Sequence, residues 1–208
     1  MQLIGQFDSP FVRRVGVALT LYGIAFEHLP YSSFGESDKF HAYNPLRRVP
    51  TLVLDSGEAL IDSAAILDHL DEVHGRERAL IAPAGEARSA ALRRIALAIG
   101  TADKAVSFFY AKLFAPSLDP MFVSRSEGQI RDGLTALNAA CAGRSGDWWH
   151  GEGPGHDDVA VACVARFLSE AYAALVKLSD YPAIAEHCAR AEALAAFQTI
   201  SQRFNPPS

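Results

Sequence analysis

The sequence contains no basic run longer than Arg47-Arg48 or Arg93-Arg94, and its net charge is −5. Nucleic-acid binding draws on clustered Lys and Arg to neutralise phosphates, so a nucleic-acid partner is excluded. No window approaches 18 uncharged apolar residues, and none predicts a membrane span. The opening MQLIGQFDSPFVRR lacks the basic region, long apolar stretch and small-residue cleavage site of a signal peptide. Cysteine is scarce. Cys141, Cys163 and Cys188 form an odd set with no CxxC pair and no paired His at ligand spacing, which argues against a disulfide framework and against a metal site. They read as buried or half-buried free thiols in a reducing cytosol, so the expected location is cytoplasmic.

What is present is an ordinary globular composition: 208 residues, 50% hydrophobic and 21% charged. A chain of this length should bury about 70% of the surface it exposes when unfolded, enough for a core without disulfides or a structural metal. Alanine is sparse in the first 77 residues and dense after Arg88, where long segments carry helical periodicity. The first part is mixed and the second nearly all helix.

In the first part, Leu3 to Phe7 reads as a strand and Pro10 to Tyr22 as a helix, with Ser9 as N-cap, Pro10 at the first helical position and Gly23 as the stop. Phe26 to Leu29 is a second strand, and strand, helix, strand within 30 residues predicts a parallel pair. A weak helix around Glu36 to His41 precedes Thr51 to Leu54 and Glu58 to Ile61, a hairpin around Asp55-Ser56-Gly57. Ser63 caps a helix to His74, closed by Gly75. This βαβ, connection, ββα order is that of the thioredoxin fold. The expected organisation is an α/β thioredoxin-like domain over 1–77, a linker over 76–87, and an all-α domain over 88–208 with helices near 87–115, 120–142, 157–177, 182–188 and 190–200.

Three stretches offer chemistry. Ser9 sits where a helix start concentrates unpaired N–H groups and partial positive charge, so its hydroxyl either caps the helix or donates to an anion held there. Val49-Pro50-Thr51 reads as a trans-proline strand entry; if the bond is cis, the Val49 backbone turns outward, where an extended peptide could pair with it. Asp62-Ser63 is a second helix start carrying a hydroxyl, either a cap or a carboxylate site.

Taken together, Ser-Pro-Phe-Val-Arg-Arg-Val after the first strand, Asn44-Pro45-Leu46 leading to Val49-Pro50-Thr51-Leu52, and Asp62-Ser63 before Ile66 resemble the glutathione transferase family. The resemblance continues through Asp147-Trp148-Trp149 and Gly151 to Asp158-Val159-Ala160, although Gly155 stands where the family usually has a Ser or Thr cap. It implies glutathione as co-substrate, no metal, and a homodimer in which the third and fourth helices cross a two-fold axis. Asp68, Asp71 and Glu72 would then face Arg88, Arg93 and Arg94, where otherwise these are solvated helix faces.

By the same resemblance, Ser9 is the serine that bonds the glutathione sulfur, as in serine-type tau-like and bacterial members, with Phe11 beside it in the motif. Val49 and Pro50 would pair with the cysteinyl part, Asp62 and Ser63 with the γ-glutamyl end, and Arg48 with the glycyl carboxylate. Arg47 occupies a position where many relatives have glycine, and would either add a carboxylate contact or alter the loop. A pocket for a small hydrophobic electrophile is expected between the halves, with Phe7, Phe11, Phe108, Phe109 and Tyr110 as walls or, equally, as core. The implied function is activation of the glutathione thiol; the alternative is a noncatalytic glutathione- or ligand-binding scaffold of the same fold. A glutaredoxin-like role would need a cysteine where Ser9 stands.

Overall fold

The computed structural model describes residues 1–206, which form two compact units: residues 1–83 with 192–206, and residues 84–191.

The first unit is built on four short strands, β1 (Gln2–Ile4), β2 (Glu27–Leu29), β3 (Thr51–Val53) and β4 (Ala59–Leu60), in the order β2-β1-β3-β4. β1 and β2 are parallel, joined by helix α1 (Pro10–Leu21), and the other pairs are antiparallel. β1 is central, and Leu3 and Ile4, which point to opposite faces, are both fully buried. On the Ile4 face, Phe40 and Val53 complete a cluster with Leu29, Tyr31, Val49 and Ala59 packed against it; burying Phe40 there contributes roughly 2 to 3 kcal/mol. Helix α2 (Ser63–His74) packs against α1. α1 ends where Gly23 takes φ 67°, with the Gly23 amide on Thr20 O and the Ile24 amide on Leu19 O, a glycine-closed helix end.

The second unit is helical: α3 (Gly85–Phe114), α4 (Pro120–Ala142), α5 (His156–Ala171) and most of α6 (Pro182–Glu192). α5 is the buried central helix, apolar on nearly all sides. α3 and α4 approach closely at Gly133, where a Cβ would lie 2.1 Å from Thr101 Oγ1. Gly155 has no side chain to cap α5, but the Asp158 carboxylate accepts from the Gly155 amide (3.0 Å) and from the Trp149 amide (3.3 Å). That supplies half of a capping box.

The structure departs from the sequence expectations at several places. The expected helix over 157–177 ends at Ala171, because the Tyr172 hydroxyl is fixed on the Ala105 carbonyl (2.6 Å) and the chain turns there, despite the helix-forming alanines that follow. The expected final helix over 190–200 is divided: α6 runs on to Glu192, Leu194 is extended, and α7 (Ala195–Thr199) is short. The boundary 88–208 is corrected, since residues from Glu192 onward belong with the first unit, where Arg13 holds them. Asp62, and not Ser63, is the N-cap of α2.

Candidate functional site

The strand register decides what meets at one end of the sheet. Ile4 pairs with Thr51, so Gly5 and Pro50 follow at the same end, and β4 runs antiparallel to β3 so that Asp62 and Ser63 emerge there too. Gly5 has φ 127°, and a Cβ on it would lie 2.6 Å from Val12 Cγ2 and 2.8 Å from Val49 Cβ. The end of β1, the first turn of α1 and Val49 therefore meet at a point that admits only glycine. Val49-Pro50 is cis, where the sequence reading had favoured trans.

Ser9 is the N-cap of α1, half-buried, with extended backbone (φ −70°, ψ 124°) and Pro10 following. Its Oγ accepts from the Val12 amide only at 3.5 Å, a long contact that leaves capping weak. Phe11 is buried in the same turn. At the second helix start, Asp62 Oδ1 accepts from the Ala64 amide at 2.8 Å, and Ser63 is the first helical residue, buried. Because Asp62 caps the helix, the Ser63 hydroxyl is not needed for capping.

The loop before Pro50 is pinned by a residue whose role the sequence reading missed. Asn44 is buried; its Nδ2 donates to the Arg48 carbonyl (2.7 Å) and Thr51 Oγ1 (3.0 Å), and its Oδ1 accepts from the Leu46 amide (3.0 Å). An Asn-Pro pair ahead of a strand is a turn signal that would have marked it. Arg47 adopts φ 52°, the left-handed conformation that a glycine would take without cost, and its guanidinium pairs with Asp38 (2.7 Å) on the surface. The loop shape is thus compatible with the arginine, whose charge is engaged at Asp38. Arg48 is exposed.

The aromatic residues separate. Phe7 is a core residue of the first unit, stacked on His28 with centroids 3.8 Å apart, and not an open wall. Phe108 and Phe109 line a groove of about 520 Å³ within the helical unit, with Lys112, Glu127, Arg131 and Tyr172. Tyr110 is turned to Phe109 and Phe114 instead, and is not among the groove's lining residues. Of the six charges expected to face a partner subunit, Asp71 is buried and accepts from the Tyr22 hydroxyl, and Arg94 is paired with Asp157 at 2.7 Å. Asp68, Glu72 and Arg93 are exposed. The three cysteines are buried, and burial pushes the Cys141 thiol up to about 11.

A sheet of this topology with a cis-proline heading its first antiparallel strand, two helix starts at the same end and a helical unit following defines a thioredoxin-like domain joined to an all-α one. Residues 3–78 match the glutathione S-transferase N-terminal domain and residues 120–190 the glutathione S-transferase C-terminal domain, and the chain belongs to the glutathione transferase family. It is 35% identical over 71 residues to the GST-like protein YibF of Escherichia coli, a match covering 34% of this chain and 35% of that protein. Several of the curated relatives are likewise matched over only about a third of their length. Maleylacetoacetate isomerase of mouse is 27% identical over 98% of this chain and 93% of its own. Among solved structures, a glutathione S-transferase of Methylobacillus flagellatus with glutathione bound superposes with a TM-score of 0.87 at 26% identity, covering 96% of this chain and 98% of that one.

Proposed function

We propose that the protein is an enzyme that binds glutathione at the end of the sheet where the starts of α1 and α2 and the Val49-Pro50 bend converge, and activates its thiol. The observation that carries this reading is the convergence itself: two helix starts, each offering unpaired N–H groups to anions, each with a serine whose hydroxyl is weakly used or unneeded in capping. Ser63, with Asp62, would hold the γ-glutamyl end, Val49 and Pro50 the cysteinyl backbone, and Arg48 the glycyl carboxylate. Ser9 would donate to the sulfur, in the manner of the serine-type members.

A hydroxyl donor beside a helix start favours thiolate over thiol. Lowering the thiol pKa from about 8.5 to about 6.5 raises the thiolate fraction at neutral pH from a few per cent to roughly three quarters, an effect of about 2.7 kcal/mol. The thiolate then attacks a small hydrophobic electrophile. A homodimer and a cytoplasmic location accompany this reading, with Asp68, Glu72 and Arg93 left to meet a partner subunit.

A second reading is favoured by the near full-length likeness to maleylacetoacetate isomerase. Here the thiolate adds to a conjugated double bond, the resulting single bond rotates, and the C–S bond breaks to return glutathione unchanged. One experiment separates the two. Calorimetry with glutathione, followed by turnover of an electrophile panel with glutathione quantified throughout, should show binding and then either stoichiometric glutathione loss or none. Absence of glutathione binding at millimolar concentration would overturn both.

A further inference from the structure

The structure assigns a positioning role to the C-terminal segment 200–206: it tethers the loop that carries Ser9, with Gln202 as the principal positioning residue. This inference rests on the glutathione reading and concerns what holds Ser9 in place for it.

The chain leading into the segment is fastened to α1, all within the first unit. The buried Arg13 makes a two-pronged ion pair with Glu192 (2.6 and 2.8 Å) and donates to the carbonyls of Ile200 (2.8 Å) and Phe197 (3.1 Å). One turn further along α1, Gly16 lets Ile200 and Phe7 approach together; a Cβ there would lie 2.8 Å from Ile200 Cγ2 and 2.9 Å from Phe7 Cε1. These contacts deliver the chain to the β1–α1 loop, where two tethers form. The Phe7 amide donates to Gln202 Oε1 (3.1 Å), and the Asn205 amide donates to Asp8 Oδ2 (3.1 Å).

Both tethers fall on the two residues immediately before Ser9. Within the loop, the Ser9 amide reaches Gln6 O at 3.2 Å, and the hydroxyl's cap contact is the long one already described. The Arg13 amide holds the Ser9 carbonyl from the helix side (2.9 Å), the two tethers hold the residues before it from the loop side, and a donor to sulfur must be held within a few tenths of an ångström to be effective. The tail adds a restraint from outside the loop.

The test is the apparent pKa of glutathione bound to the full-length protein, read from its ultraviolet thiolate absorbance, together with the glutathione dissociation constant. Gln202→Ala should raise that pKa by about half a unit to one unit, which is about 3 to 10 fold less thiolate below it, with the dissociation constant within about twofold of wild type. Hydrogen exchange at the Phe7 amide should quicken. Gln202→Asn keeps a neutral amide acceptor and should shift the titration less than alanine does. If Gln202→Ala fails to fold, Asp8→Ala removes the other tether, and its pKa should exceed that of Asp8→Asn, which loses the same charge and keeps an acceptor oxygen. A Gln202→Ala protein with lowered melting temperature and unchanged thiol titration, or an Asp8→Ala protein that titrates as Asp8→Asn does, would overturn the inference while leaving glutathione activation intact. A wild-type protein showing no bound thiolate would overturn both.

Discussion

The Arg94 guanidinium lies 2.7 Å from the Asp157 carboxylate, joining the first half of α3 to the first turn of α5, and Asp157 is fully buried. The same guanidinium covers the Trp149 ring at 4.5 Å. Arg94 thus compensates an interior charge, and the pair joins α3 to the buried helix α5.

Removing one partner of such a pair leaves a buried charge uncompensated. Arg94→Ala should lower unfolding free energy by about 3 to 5 kcal/mol, whereas a double replacement by Met and Leu should recover much of it. Urea midpoints of the three proteins check this, and a loss under 1 kcal/mol for the alanine variant would contradict it.

The next prediction concerns pH. Burial holds His187 down at about 4, and the geometry agrees: Arg144 donates to Nδ1 (2.7 Å), so the ring is neutral and Nε2 donates to the Asp158 carbonyl (3.0 Å). Burial pushes the Asp158 carboxyl up to about 7, opposed by the Gly155 and Trp149 amides. Between about 4 and the ordinary 6.5, an unfolded His187 holds a proton that the native ring refuses, so this group makes stability rise with pH. Over about 4 to 7 the native Asp158 holds a proton that the unfolded chain has lost, so stability falls with pH. The two slopes oppose each other, and wild-type stability should be nearly flat across the window. His187→Gln deletes the rising limb, and its stability should fall with pH by up to about 1.4 kcal/mol per unit. Parallel pH curves for the two proteins would refute the assignment.

At the proposed sulfur site, Ser9→Ala should bind glutathione within a few fold of wild type and lose about 10 to 100 fold in turnover, equivalent to about 1.4 to 2.7 kcal/mol. The helix should suffer little, because the cap contact to Val12 is long. Ser9→Cys should form a mixed disulfide with glutathione, visible by mass spectrometry, and shift activity toward thiol transfer. Full activity in the alanine variant with an unchanged thiolate titration would place the activating group elsewhere.

Asp62 and Ser63 should differ in what their loss does to stability. Asp62→Ala removes a cap and should cost about 1 kcal/mol of stability. Ser63→Ala should leave stability nearly unchanged and weaken glutathione binding by about 1 to 3 kcal/mol, the cost of an anion short of one donor. Calorimetry and thermal melts on both variants would expose the reverse pattern if it held.

Much of the fold could be read from residue chemistry because its signals are local. Ser9, Pro10 and Gly23 bracket α1, and Pro120–Ala142 is bounded as expected. The errors came where two local signals compete or a distant partner decides. Asp62 and Ser63 are both strong caps one residue apart, and only the backbone shows which side chain turns to Ala64. The end of α5 depends on a tyrosine hydroxyl meeting a carbonyl 67 residues away. Ser9, Val49, Pro50 and Ser63 could be named because each stands at the end of an element. Asn44 and Gln202 are positioned by packing, and Gln202 carries no turn or cap signal at all.

The first unit is interrupted in the chain: roughly a hundred residues of helix separate residue 83 from the stretch that completes it. When the early segment leaves the ribosome, Arg13 has neither Glu192 nor the carbonyls of Phe197 and Ile200 to bind, and its guanidinium cannot be buried alone. At about 5 to 20 residues per second, that wait lasts on the order of 5 to 20 seconds. The nascent sheet must therefore remain open at the edge of α1 while the helical unit is being made, and chaperone contact during synthesis should concentrate there.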